Sequence, residues 1–232
     1  MIRPHVLVYI LFGLVAILDI VCITFFPEIR YITKPLLMPL LMLGYYLEVK
    51  PLNTFSNILL WGLFFSWSGD ILLMLENYNG SFFIGGLVSF LTAHILYITY
   101  FAKTKSQQEP YLKSRPVMLL AVLAYIIELM YVLWPHLGGM KIPVIIYGIV
   151  IGTMLCFALW QIGKLDNKAA ALFTAGAFFF VLSDSFLAIN KFRSSFSYAG
   201  ILIMLTYCLA QYLLARGSAR HIKTITETTA NQ

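Results

Sequence analysis

Long runs of apolar residues, separated by short polar segments, divide the chain into eight blocks. Within each block the apolar residues are continuous rather than alternating, a pattern typical of helices in lipid and not of barrel strands. A helix needs about 20 such residues to cross a bilayer. The sequence therefore predicts an all-α membrane protein with eight transmembrane helices. They lie at about residues 4–26, 35–49, 56–75, 82–102, 116–134, 143–162, 170–190 and 197–216.

The second of these helices is short, and Pro35 and Pro39 near its start predict an irregular or kinked beginning. Lysine and arginine set the orientation, because cytoplasmic segments of membrane proteins carry an excess of both. With the N-terminus inside, eleven of the sixteen basic residues fall in inner segments and five in outer loops. We therefore expect both termini on the cytoplasmic side, with residues 223–232 as a polar, mobile tail.

Composition supports the same class of protein and excludes others. The chain is 60% hydrophobic and 11% charged, whereas a soluble domain carries about 25% charged residues. We expect one transmembrane helical domain over residues 1–222. The net charge of +6 is spread over helix ends and forms no basic patch, so nucleic-acid binding is not expected. The three cysteines lie in apolar runs, where they are expected to act as small packing residues.

The two halves of the chain share a pattern around Asp70 and Asp184. Each aspartate follows a Phe-Phe pair at the same offset, precedes a leucine by three residues, and is followed sixteen residues later by a glycine. This similarity predicts a 4+4 bundle of two parallel pseudo-repeats, at about residues 1–112 and 113–222. The alternative is a chance match between two apolar sequences.

Carboxylates inside the predicted helices are the first functional candidates, because each costs at least about 2.5–3.5 kcal/mol in a bilayer. Four of them stand out, namely Asp19, Asp70, Glu128 and Asp184. Asp70 and Asp184 lie in helices that both run outward, so we expect them at similar depth, facing one central cavity. Two carboxyls in a pocket of low dielectric would share a proton, leaving one acid and one carboxylate. General acid–base chemistry on an ether-like bond needs such a pair.

A structural role is the alternative for these carboxylates. Lys34 begins the second helix on the outer side, and Lys191 lies two helical turns after Asp184, so either lysine could neutralise an aspartate. The two roles can coexist, since a lysine near the pair would also bind a lipid phosphate. Two aspartates and one histidine could hold a metal, but the sequence lacks HExxH and any close His or Cys pairing, so no metal is expected.

Three further polar residues are candidates for the same pocket. His94 and Tyr97 lie on one face of the fourth helix, and Ser66 lies near Asp70. We expect all three to contact the substrate. The alternatives are an interhelical hydrogen bond for His94 and simple packing for Ser66.

Several segments carry a family resemblance through their order and spacing. They are Ser66–Leu73, Phe83–Gly86, Phe90–Tyr97 and Gly176–Ser185, with Lys34-Pro35 before them and Lys191-Phe192 after them. Together they resemble the signature of the YhhN-like lysoplasmalogenases, a family of eight-span membrane hydrolases. The similarity covers about residues 30–212.

The resemblance implies cleavage of the vinyl ether bond of lysoplasmalogens, which releases a fatty aldehyde and glycerophosphoethanolamine or glycerophosphocholine. By motif match, Asp70 and Asp184 would be the catalytic pair. Lys34, Lys191 or Arg193 could hold the phosphate. No cofactor is expected, and the expected partners are a lysophospholipid substrate and the lipids of a bacterial inner membrane or a eukaryotic endomembrane.

A small proton-coupled transporter is the alternative function. Duplicated halves and membrane carboxylates at matched depth are also features of carriers.

Overall fold

The computed structural model describes residues 3–104, 109–114 and 116–230, and every regular element in these ranges is helical. The predicted all-α fold class is confirmed there. Residues 105–108 and 115, which belong to a predicted inner segment, lie outside the described residues. The α-helices are α1 Pro4–Phe25, α2 Arg30–Val49, α3 Thr54–Met74, α4 Ser81–Lys103, α5 Tyr111–Ser114, α6 Val117–Leu133, α7 Lys141–Leu159, α8 Asn167–Ala188 and α9 Ala199–Ala230.

Seven of these helices are long and apolar enough to cross a membrane, namely α1, α3, α4, α6, α7, α8 and α9. The protein is therefore of the multi-pass membrane class. The helix α2 has 20 residues but is not among the seven, because Arg30, Lys34 and Glu48 lower its hydropathy. It begins at Arg30, five residues before the predicted start, and stays helical through Pro35 and Pro39.

Packing divides the chain into two compact units. The first contains Met1–Tyr100 and Ser218–Gln232, and the second contains Phe101–Gly217. The helix α9 therefore contributes residues to both units. It continues through Ala230, so the segment from residue 223 for which the sequence predicts a mobile tail is helical as far as that residue. The predicted pseudo-repeats remain a prediction.

A buried polar network holds the end of α9 in the first unit. The phenol of Tyr45 lies 2.6 Å from Ser218 Oγ, and the phenol of Tyr100 lies 2.9 Å from His221 Nδ1. The ring of Phe55 meets the rings of Tyr100 and His221 edge-on, with centroids 5.2 and 5.0 Å away. Polar groups in an apolar core need such partners, so the network specifies how α9 docks on α2 and α4.

Close helix packing and one buried amide organise the second unit. A Cβ at Gly176 would lie 3.0 Å from the backbone nitrogen of Leu214, so only glycine lets α8 approach α9 this closely. The rings of Phe101 and Phe173 meet edge-on, with centroids 5.0 Å apart. Thr104 Oγ1 donates a hydrogen bond of 2.6 Å to Gln161 Oε1. The first two contacts hold α8, which carries Asp184, against α9 and against the end of α4.

Replacing Tyr45 with phenylalanine should lower the stability of the first unit. The substitution keeps the ring but removes the hydrogen bond to Ser218 inside the core, at a cost of about 1 kcal/mol. For a chain of this size we expect the thermal midpoint in detergent to fall by roughly 2–4 °C. Tyr46→Phe is the matched control, since Tyr46 is 43% exposed. Equal midpoints for the two variants would show that the network adds no stability.

Candidate active site

Asp70 lies in α3 and forms a buried ion pair with Lys34 of α2. Lys34 Nζ is 3.4 Å from Asp70 Oδ1, and the two side chains are 12% and 4% exposed. One of the pairings that the sequence left open is therefore present. A buried carboxylate is stable next to a cation and costly without one. Lys34 thus supplies the cation that this buried carboxyl needs.

A second contact between α2 and α3 lies beside this ion pair. Proline has no N–H, so Pro39 leaves the carbonyl of Pro35 without its usual helical donor. Trp67 supplies the missing donor, because its Nε1 donates a hydrogen bond of 2.8 Å to the carbonyl oxygen of Pro35. Trp67 precedes Asp70 by three residues, so the two side chains share one face of α3. They bind two consecutive residues of α2, namely Lys34 and Pro35.

Two glycines bring α4 against α3 at the level of Asp70. A Cβ at Gly69 would lie 2.7 Å from the ring of Phe90. A Cβ at Gly86 would lie 2.8 Å from Leu73 and 3.4 Å from the carbonyl oxygen of Gly69. Small residues allow helix backbones in a membrane to approach this closely. The backbone that carries Asp70 is therefore fixed from two sides.

Ser66, His94 and Tyr97 are all fully buried. The ring of Tyr97 covers Gly62 of α3, so Tyr97 also packs α4 against α3. Ser66 lies one helical turn before Asp70. Within the described part of the chain, no group accepts or donates a hydrogen bond at Ser66 Oγ. An unsatisfied buried hydroxyl is uncommon and suits a position that contacts a ligand or water.

The two remaining candidate carboxylates occupy different environments. Asp19 is fully buried, accepts a hydrogen bond of 2.7 Å from Thr33 Oγ1, and lies 3.5 Å from Arg30 Nε. It therefore ties α1 to the first turn of α2, directly before Lys34. In contrast, Glu128 of α6 is exposed.

Asp184 lies in α8 of the second unit, and its partner there is a phenol. Tyr147 of α7 donates a hydrogen bond of 2.6 Å to Asp184 Oδ2. Next to it, Tyr125 of α6 donates a hydrogen bond of 2.8 Å to Ser185 Oγ. Two tyrosines from neighbouring helices thus meet consecutive residues of α8, which orients the carboxyl of Asp184.

Sequence reasoning missed Tyr147. At the spacing that separates Asp70 from Asp184, the position equivalent to Lys34 is Gly148, which has no side chain to offer. The predicted repeat therefore gave no signal for the partner of the second aspartate.

Lys191 and Arg193 lie on a π-helical turn, Ile189–Arg193, which continues α8. A π-helix has more residues per turn than an α-helix. The α-helical spacing that predicted Lys191 on the face of Asp184 therefore does not hold along this segment. Turns of this kind occur frequently at functional sites.

The structure brings Lys34 to Asp70 within the first unit and Tyr147 to Asp184 within the second. The shared cavity of the two aspartates remains a prediction. In the parts of the chain that the structure describes, no group of three or more His, Cys, Asp or Glu side chains could hold a metal ion.

These features define a multi-pass helical membrane protein with buried or half-buried carboxylates, each held by a partner from the neighbouring helix. The chain belongs to the YhhN family, whose model matches residues 29–218. The resemblance carried by the sequence motifs is therefore confirmed.

The relatives are named as enzymes. Lysoplasmalogenase TMEM86B of Homo sapiens is 31% identical over 184 residues, which cover 79% of this chain and 73% of that protein. Lysoplasmalogenase of Mycobacterium bovis is 30% identical over 67% of this chain, and Lysoplasmalogenase TMEM86A of Homo sapiens is 32% identical over 66% of it. The matches cover 58% and 62% of these two relatives, less than two thirds of their length. No solved structure matches the chain.

A double-mutant cycle tests whether Trp67 replaces the N–H donor that Pro39 cannot supply to the carbonyl of Pro35. Trp67→Phe removes the donor, and the carbonyl of Pro35 then has no helical partner, since residue 39 is proline. In the Pro39→Ala background the helix itself supplies an N–H. We expect Trp67→Phe to cost about 1 kcal/mol more in the native background than in the Pro39→Ala background. Thermal unfolding of the four proteins measures the difference, and equal costs would contradict the assignment.

Proposed function

We propose that this protein is a membrane-embedded lysoplasmalogenase. It cleaves the vinyl ether bond of lysoplasmalogens to a fatty aldehyde and glycerophosphoethanolamine or glycerophosphocholine. The observation that carries the proposal is the buried, lysine-paired Asp70 within the segment matched by the YhhN model. The lysoplasmalogenase names of its relatives support the reaction class.

The reaction needs one acid and one base. A proton is added to the vinyl carbon remote from the ether oxygen, and an oxocarbenium ion forms at the adjacent carbon. Water attacks this carbon while a base takes its proton. In the resulting hemiacetal, the hydroxyl proton passes to the ether oxygen, the bond between that oxygen and the carbon breaks, and aldehyde and alcohol leave. Water is the only reactant consumed besides the lipid, and the proton is returned to the enzyme.

The partners of the two aspartates suggest how they divide this work. A pair of carboxyls that act on one substrate holds a single proton. Lys34 favours the ionised form of Asp70, so Asp184 is the acid that protonates the vinyl carbon. Tyr147 orients the carboxyl of Asp184. Asp70 then stabilises the oxocarbenium ion and accepts the proton of the attacking water.

The remaining site residues bind the rest of the substrate. Ser66, His94 and Tyr97 line the pocket around the ether and the glycerol. The lipid phosphate is held by Lys34 and Lys191, with Arg193 as a further candidate. The substrate is a lysophospholipid taken from the membrane in which the protein resides, a bacterial inner membrane or a eukaryotic endomembrane.

The relatives are named for an enzyme, so transport is the less favoured function. The product of the reaction distinguishes the two functions. A carrier would move lipid or protons across sealed liposomes without forming aldehyde.

Asp70→Asn and Asp184→Asn should each lower turnover by about 10²–10⁴-fold, because each removes one proton-transfer group while keeping the size of the side chain. Fatty aldehyde released from lysoplasmenyl-ethanolamine by purified protein measures the effect. Glu128→Gln is the matched control, since it removes an exposed carboxylate from a membrane helix and should retain the native rate.

Native turnover in either aspartate variant would contradict the two-carboxylate mechanism. If the native protein forms no aldehyde but takes up substrate into liposomes, the transporter replaces the hydrolase. The matching 1-acyl lysolipid should yield no aldehyde, because it lacks the vinyl ether.

We also propose that α2 is the eighth transmembrane helix. It has 20 residues, enough to cross a bilayer. Leu37, Met38, Leu41 and Tyr45 are fully buried, so α2 packs among other helices, and its charged residues have buried partners. Such a helix can carry charged residues, because each of them has a partner on a neighbouring helix and none needs to face lipid.

An eighth span places the two termini on one side of the membrane, whereas seven spans place them on opposite sides. We expect reporters fused to the N-terminus and to the C-terminus to be cytoplasmic in both fusions, as the distribution of basic residues predicts. Protease protection or reporter activity in intact cells measures the orientation. Reporters on opposite sides would show that α2 does not span.

A further inference from the structure

An apolar groove runs between α6, α7 and α8 of the second unit. Its volume is about 710 Å³, and its lining is carbon almost throughout. The first half of the α8 side has small side chains, and the half nearer Asp184 has larger ones. The small ones are Ala170, Ala171, Thr174 and Ala175, and the larger ones are Phe178, Val181 and Leu182. Bulky residues such as Leu155 and Leu159 of α7 form another side. Small residues in a row along one helix leave room for a long, thin, apolar molecule.

The length of the groove fits a fatty chain. The α8 residues that line it extend from Asn167 to Leu182, which corresponds to about 22 Å at about 1.5 Å per helical residue. An extended hydrocarbon chain advances about 1.3 Å per carbon from its bond geometry. The groove therefore accommodates a chain of about 17 carbons, which is the length of one extended alkenyl tail.

One end of the groove lies at the residue that follows Asp184. Tyr125 lines the groove, and its phenol donates a hydrogen bond of 2.8 Å to Ser185 Oγ. The apolar groove thus ends at a polar pair that is adjacent to Asp184 in the chain. A lipid tail in the groove would therefore bring its reactive end towards Asp184.

We infer that this groove binds the alkenyl chain of the substrate and that Ala175 and Ala171 set the chain length that the enzyme accepts. The inference rests on the proposed function and names the part of the substrate that the second unit recognises. With the vinyl ether at Asp184, Ala175 lies about 10 chain carbons away and Ala171 about 15, by the same helical and hydrocarbon spacings.

The test is a chain-length profile. Ala175→Phe should block the groove near its middle, and Ala171→Phe should block it further from Asp184. We expect Ala175→Phe to lower kcat/KM by about tenfold or more for every chain longer than about 10 carbons, and Ala171→Phe to do so only above about 15. Lysoplasmenyl-ethanolamines with chains below, between and above these two lengths give the profile. Ala124→Phe is the matched control, because Ala124 is exposed on α6 and lies outside the groove lining.

A photoreactive group at the end of the alkenyl chain gives a second readout that does not depend on turnover. Labelling should fall on α6, α7 and α8 along the groove and should decrease in the Ala171→Phe protein. If the native protein labels the groove but releases no aldehyde, the proposed function fails and the chain site stands. If it releases aldehyde while both groove variants keep the native profile and label elsewhere, the groove holds bulk membrane lipid only and the inference fails.

Discussion

A carboxylate inside an apolar helix bundle is stable only with a cation or a hydrogen-bond donor against it. This constraint determines how α2 and α3 are arranged. Asp70 is buried on α3, so α2 must bring Lys34 to it, and the ion pair fixes the register of the two helices. Asp19 imposes the same condition on α1, which meets Arg30 and Thr33 in the turn before Lys34.

The prolines of α2 belong to the same arrangement. A proline in a helix normally destabilises it, because one carbonyl loses its donor. Here Trp67 donates to the carbonyl left open by Pro39, so the missing bond becomes a bond between helices. An unpaired carbonyl would be costly in lipid, and here the carbonyl of Pro35 instead binds α3 one turn before Asp70.

Apolar continuity in the sequence predicted the helical fold and the membrane class, and the matched context of Asp70 and Asp184 identified the main candidates, because charge in lipid is rare. Other features had no such signal. One tyrosine among fourteen, Tyr147, cannot be distinguished by type. The alanines of α8 are as compatible with close helix packing as with a groove, so their sequence does not distinguish the two. The π-helical turn at Ile189–Arg193 also has no pattern in an apolar sequence. Partner identity depends on which helices become neighbours, which periodicity does not encode.

Two buried ion pairs account for the low hydropathy of α2. A buried carboxylate needs a cation beside it, so the helix that packs against Asp70 must carry one. Lys34 and Arg30 serve two buried carboxylates and make α2 the least apolar long helix before the chain midpoint. Burial of Leu37, Met38 and Leu41 offsets that loss, because these residues pack against protein and need no lipid contact. The low hydropathy of α2 and its close packing against α1 and α3 are therefore two consequences of the same buried carboxylates.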